Sequence, residues 1–124
     1  MDILGVYLVD FKNNVGGEIS GKHYSLILSN VSKKDNTLLV APITSKKSGK
    51  RYRGGITIDC TKYQKNPKYQ KAFIKIRKIR EIDIERIFGE KRYSLDEEDK
   101  LRFTNYFNDF FNFKKFSNNS IDKL

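Results

Sequence analysis

The chain has 124 residues, 38% hydrophobic and 13% aromatic, and carries a formal net charge of +10. That length fits one compact domain with little room for a second, and the charge favours an anionic partner, nucleic acid first. A single cysteine excludes an intrachain disulfide and a thiolate zinc cluster, and no stretch approaches the roughly 18 apolar residues of a membrane helix.

The acidic start Met1-Asp2 and the interruption of the first apolar run by Asp10 give no expectation of a secretory leader. With one free cysteine, a reducing, cytoplasmic setting is expected. The charge is concentrated. Residues 1–40 balance to zero and residues 81–124 sum to −2, while residues 41–80 hold thirteen basic side chains against Asp59 alone. The middle third is therefore expected to supply the partner surface.

In chain order, residues 5–11 are β-branched and aromatic and predict a first strand buried on both faces. Residues 12–21 hold three glycines and form a loop, either a flexible hairpin connection or a lid over a ligand. A second strand is predicted over 23–29 and a third over 37–43. Pro42 removes a ladder donor, so the third strand is expected to end or reach an edge there, leaving Thr44 and Ser45 where the chain leaves the sheet. A basic, glycine-bounded loop follows over 45–55, in which Arg51-Tyr52-Arg53 interleaves cations with an aromatic ring.

A fourth strand is predicted over 56–60, with Cys60 as a small buried hydrophobe, and a tyrosine-rich loop over 63–69. Residues 72–78 alternate as a half-buried strand presenting Lys75 and Arg77. Residues 80–88 predict a short helix, with Asp83 as its cap and Gly89 just past its end. Ser94 and Glu97 form a capping box for a long terminal helix. Its apolar residues Phe103, Tyr106, Phe107, Phe110, Phe111 and Phe113 share a broad core-packing face. Residues 117–124 form a polar tail, expected to be disordered.

The chemistry gathers on few residues. His23 is the only histidine, and an imidazole is the side chain whose ordinary pKa lies near neutrality. It can serve as the base or the acid of a phosphodiester cleavage or, equally by type, make a structural hydrogen bond at a strand entrance. Thr44 and Ser45 can stabilise developing negative charge on a phosphate or satisfy backbone groups at a strand end. Lys75, Arg77 and Arg80 can hold phosphates. Arg51, Arg53 and the tyrosines combine cations with stacking surfaces, as single-stranded RNA binders do. One His and one Cys offer no recognisable metal-ligand spacing, so neither a metal nor another cofactor is expected.

The order of short motifs adds a resemblance. Gly5-Val6-Tyr7-Leu8-Val9-Asp10-Phe11, then Gly16-Gly17-Glu18, then Gly21-Lys22-His23-Tyr24 running into an apolar strand, resembles the opening of the MazF/PemK/Kid toxins. Ile43-Thr44-Ser45 and Ile79-Arg80-Glu81-Ile82-Asp83 resemble later segments of the same family. The resemblance implies a mainly β fold, a small SH3-like barrel with a short helix and a long C-terminal helix, spanning residues 1–116 and usually homodimeric. It implies a metal-independent endoribonuclease toxin that uses the ribose 2′-hydroxyl to cut single-stranded RNA, leaving a cyclic phosphate and a free 5′-hydroxyl. A cognate antitoxin, protein or RNA, would block the RNA groove.

By the same resemblance His23, Thr44 and Ser45 are the expected catalytic residues. Tyr24, Lys47, Arg51, Arg53, Lys75, Arg77 and Arg80 are expected to bind RNA, the last three as the basic floor of one groove. Five residues in three segments depart from the family pattern. His23-Tyr24 stands where it reads Arg-Pro, Gly17 where some members carry a loop histidine, and Lys75 and Arg77 where those members carry Arg and Asp. A non-catalytic RNA-binding protein on the same barrel is therefore the second reading. The run from Thr44 to Lys47 also resembles the ToxN-like nucleases, which are inhibited by RNA.

Overall fold

The computed structural model describes residues 1–112. Seven strands and one helix follow in order: β1 (Gly5–Asp10), β2 (Lys22–Ile27), β3 (Thr37–Ser45), β4 (Gly55–Asp59), β5 (Lys71–Lys75), β6 (Arg80–Asp83), β7 (Ile87–Ser94) and α1 (Glu97–Phe111). Every pairing is antiparallel, in the spatial order β4-β5-β3-β2-β1-β7 with β6 also on β3. Among the described residues β4 and β7 do not pair, so the barrel is not closed. Phe113 and the tail over 117–124 lie outside the described residues.

β3 organises the sheet. Residues 40–42 pair with β2, while residues 37–40 pair with β6 and residues 43–45 with β5. Both latter partners come from one chain segment, bent by a single 3-10 turn at Ile76–Lys78. Pro42 does not end the strand, as its missing N–H led us to expect. It sits where β3 passes from β6 to β5, and Thr44 and Ser45 continue in the ladder opposite Phe73 and Ala72.

The period-two alternation of the strands builds two cores. Val6, Leu26, Ala41, Ile43, Ile74 and Phe103 pack on the α1 side, and Tyr7, Val9, Phe11, Ile27, Val40 and Ile82 on the other. Phe103 is buried, whereas Leu101 is 62% and Phe110 42% exposed, so the apolar face of α1 is only partly used by the core.

Two local expectations are corrected. Residues 80–88 form no α-helix: Asp83 caps only a single 3-10 turn, Ile84–Arg86, between β6 and β7. Gly89, at φ +74°, opens a bulge in β7 where its register with β1 shifts. The pairing of β6 with β3 and of β7 with β1 outweighs the local helix signals. The cap of α1 is Asp96, whose carboxylate accepts from the Asp99 N–H at 2.8 Å, because Ser94 is still within β7.

The 12–21 loop is anchored. Asn14 donates its side-chain amide to the Phe11 carbonyl at 3.0 Å and to the Ile19 carbonyl, and Ile19 is buried in the second core.

Candidate active site

β2 and β3 part after Ser25 and Pro42, because β3 then turns its edge to β5. Continuing the register two steps puts His23 opposite Thr44. By strand alternation both belong to one face, and Tyr24, Ile43 and Ser45 to the other. His23, Tyr24, Thr44 and Ser45 all border a cleft of about 340 Å³ at this parting, His23 and Thr44 from one face of the strands and Tyr24 and Ser45 from the other.

His23 is half-buried, and its Nε2 lies 2.8 Å from the Ser20 carbonyl oxygen. A carbonyl oxygen only accepts, so Nε2 carries the hydrogen and Nδ1 holds the lone pair of the neutral ring. The ring packs 6.2 Å from Phe11, and the Arg80 guanidinium lies 5.6 Å from the centre of the same Phe11 ring. Backbone and aromatic contacts thus fix the imidazole without occupying Nδ1.

The start of the basic loop is also fixed. The Tyr52 hydroxyl donates to the Ser45 carbonyl at 3.3 Å and accepts from the Lys47 N–H at 2.9 Å, while its ring packs 5.3 Å from Phe73. Tyr52 is committed to holding the chain, not free to stack on a base. Lys47, Arg51 and Arg53 are exposed.

The other expected cations lie apart from the cleft. Lys75 ends β5 opposite Gly55. Arg77 and Arg80 line a separate hollow of about 270 Å³ with Glu18, Ile19 and Lys78, and Lys78 donates to the Gly17 carbonyl at 2.8 Å. Arg80 and His23 both contact the Phe11 ring.

The far wall of the cleft was not foreseen. It is formed by Cys60, Gln64, Pro67, Lys68, Tyr69 and Tyr93, with Lys22 at the mouth. The tyrosine-rich loop signalled part of it; Gln64 and Tyr93 carried no signal of their own. Burial pushes the Cys60 thiol and the Tyr93 hydroxyl above their ordinary pKa values, keeping both protonated at neutral pH. Neither is a nucleophile there.

Among the described residues no cluster of three His, Cys, Asp or Glu side chains could hold a metal ion. No helix among them is long and apolar enough to cross a membrane. A larger hollow lies elsewhere, about 930 Å³ between α1 and the sheet, with Ile3, Leu28, Leu39 and Phe107 on its walls.

Residues 4–110 match the family described as PemK-like, MazF-like toxin of type II toxin-antitoxin system. The fold is similar to the crystal structure of MazF (Form-I) from Deinococcus radiodurans, with a TM-score of 0.66 at 16% identity over 90% of this chain and 96% of that one. It is also similar to the Mycobacterium tuberculosis toxin MazF-mt6, with a TM-score of 0.61 at 15% identity over 87% of this chain and 96% of that one. No curated protein matches the chain.

Proposed function

The chain belongs to the PemK-like, MazF-like toxin family of type II toxin–antitoxin systems, and from that premise we propose that it cleaves single-stranded RNA by attack of a ribose 2′-hydroxyl on the adjacent phosphate. Endoribonuclease activity is typical of the family. The observation that carries the proposal is the meeting of His23 and Thr44 across the parting of β2 and β3, with Nδ1 of the imidazole holding a lone pair.

In the proposed reaction Nδ1 of His23 takes the proton of the 2′-hydroxyl as its oxygen bonds to phosphorus. Thr44 donates to a non-bridging oxygen as negative charge grows on it, while Ser45, on the other face of the strand, binds the RNA chain on the cleft side. The bond from phosphorus to the 5′ oxygen breaks, and that oxygen takes a proton from a lysine ammonium at the cleft, Lys22 or Lys68. The products are a 2′,3′-cyclic phosphate and a 5′-hydroxyl, and no step calls for a metal. Arg51, Arg53 and Lys47 hold the strand leading to the cleft, and Lys75, Arg77 and Arg80 hold phosphates farther along it.

The family's toxin role implies an antitoxin, and its type II class favours a protein over an RNA inhibitor. A homodimer is proposed, with the partly covered apolar face of α1 offering surface for it, and the working compartment is the cytoplasm. The contact between His23 and the Ser20 carbonyl also suits a purely structural histidine, so an RNA-binding protein without activity is the second reading. The test is incubation of pure protein with RNA in chelator, followed by mapping of the ends. Cyclic-phosphate ends that vanish with His23→Ala and Thr44→Ala are expected. Intact RNA bound by folded parental protein would select the second reading.

A further inference from the structure

We infer that Asn14 is a positioning residue for His23: it ties the two ends of the 12–21 loop together, so that the Ser20 carbonyl meets Nε2 of the imidazole and Nδ1 is left to take a proton. The part this plays in cleavage rests on the RNA-cleaving reading above; the effect on the imidazole does not. Two contacts hold the His23 ring, the Ser20 carbonyl oxygen at 2.8 Å and the Phe11 ring at 6.2 Å. Phe11 stands at the start of the loop and Ser20 at its end, so the ring is held well only while those two ends keep their places.

Asn14 reaches both ends. Its side-chain amide nitrogen donates to the Phe11 carbonyl at 3.0 Å and to the Ile19 carbonyl. Carbonyl oxygens only accept, so both amide hydrogens are used on them. Its backbone N–H donates to the Ser20 hydroxyl at 3.0 Å. Three bonds from one residue thus join Phe11 to the pair Ile19 and Ser20. The Ile19 side chain is buried in the second core, which draws that end of the loop against the sheet. An amide suits the position because a hydroxyl has one hydrogen to donate and a carboxylate has none.

The backbone around Asn14 completes the arrangement. Phe11 N–H donates to the Gly21 carbonyl at 2.8 Å and Gly21 N–H to the Lys12 carbonyl at 2.9 Å. The Gly21 N–H and the Ser20 carbonyl belong to one planar peptide unit, and in a trans peptide they point in opposite directions. With the N–H aimed at Lys12, the carbonyl is aimed away from it, at His23. Arg86, from the turn between β6 and β7, donates to the Phe11 carbonyl at 3.0 Å and secures the other end. The backbone sets the direction of the Ser20 carbonyl, and Asn14 sets the place of the residue that carries it. A carbonyl fixed in this way selects the tautomer with its hydrogen on Nε2 before any substrate arrives.

The test is nitrogen-15 NMR of the whole chain labelled at histidine. His23 is the only imidazole, so the spectrum reports on it alone. At about pH 8, above the ordinary range of histidine, the parental ring is expected to carry its hydrogen on Nε2 only. Asn14→Ala should lose that single state and show both tautomers. Ser20→Ala, at an exposed position, removes one of the three bonds without touching the core and should shift the spectrum the same way, even if Asn14→Ala does not fold. Val15→Ala, in the same loop and 80% exposed, should keep the parental spectrum. A parental ring protonated on Nδ1, Asn14 and Ser20 variants with the parental spectrum, or a Val15→Ala protein that shows the mixture overturns the assignment. Cleavage is scored separately, and Asn14→Ala should lower kcat by about tenfold or more with KM within about twofold. A mixed ring with the parental kcat would overturn the role in catalysis. A parental protein that cuts no RNA yet gives these spectra would fail the nuclease reading and leave the positioning of His23 standing.

Discussion

His23 and Thr44 stand opposite each other two steps beyond Ser25 and Pro42, the last pair that joins β2 to β3. Neither residue is needed to hold the two strands together at that point, because β3 has already turned to β5. Side chains at such a parting can be replaced without unravelling the sheet. His23→Ala and Thr44→Ala are therefore each expected to lower cleavage by about 10² or more while leaving the urea midpoint within a few tenths molar of the parental value. A midpoint that collapses with the activity would mark them as structural.

The contact between His23 and the Ser20 carbonyl makes a sharper comparison with arginine, the residue that the family pattern has at this position. A guanidinium can donate to the same carbonyl but does not titrate near neutrality. His23→Arg is expected to keep RNA affinity and to lower cleavage by about 10² or more, since a guanidinium cannot take the 2′ proton. Cleavage at the parental rate in the variant would remove His23 from proton transfer.

Gly55 shows how tightly the basic edge of the sheet is built. It pairs with Lys75, and an added Cβ would lie 1.8 Å from the Ile74 carbonyl oxygen and 2.9 Å from the Phe73 ring. That neighbour is backbone in the middle of a ladder and cannot swing aside. Gly55→Ala is expected to cost about 3 kcal/mol or more, read as a lowered urea midpoint. Gly17→Ala, where the nearest atom is the flexible Lys78 Nζ at 3.9 Å, should be nearly silent.

Much of this architecture was legible in the sequence, for a physical reason. Strands such as 5–11 and 37–43 carry runs of β-branched residues too short for helices, and motif order located His23, Thr44 and Ser45 on one groove. What failed was local reasoning about segments whose fate is decided by distant partners. Asp83 and Gly89 look like the two ends of a helix, yet β3 and β1 claim the residues around them as strands. Lys75, Arg77 and Arg80 share a charge pattern, but the 3-10 turn at Ile76–Lys78 turns the chain away from the cleft. Gln64 meets Tyr93 through a side-chain hydrogen bond, and Tyr93 is held by the stack on Tyr63, whose hydroxyl bonds Asp99, contacts that no spacing announces.

The exposed loop over 46–54 gives a prediction in salt. Arg51 and Arg53 are exposed and lie beyond the segment that Tyr52 fastens to Ser45. If each neutralises one phosphate, the double change Arg51→Ala and Arg53→Ala should flatten the slope of log K against log salt by about 1.4 for a single strand. Base preference should survive, since phosphate contacts carry no sequence information. A slope equal to the parental one would take both arginines out of the interface.

Asp99 sets the acid stability of the fold. Burial pushes its carboxyl up, but hydrogen bonds from Tyr63, Arg102 and Lys62 outweigh that penalty and hold it below the ordinary aspartate value. Asp96 is lowered too, chiefly by the Lys62 hydrogen bond. A carboxylate whose folded pKa is depressed contributes stability that is complete above its unfolded value, about 3.9, and is lost as pH falls through the folded value. The parental melting temperature should therefore fall steeply on going from about pH 5 to pH 3. Asp99→Asn should fall less over that window, because it has no such carboxylate to protonate. At pH 7 the variant should start about 2 kcal/mol lower, having lost the charge that Tyr63, Arg102 and Lys62 share. Thermal unfolding at the two pH values reads both effects, and parallel curves for the two proteins would mean that the Asp99 cluster does not govern acid unfolding.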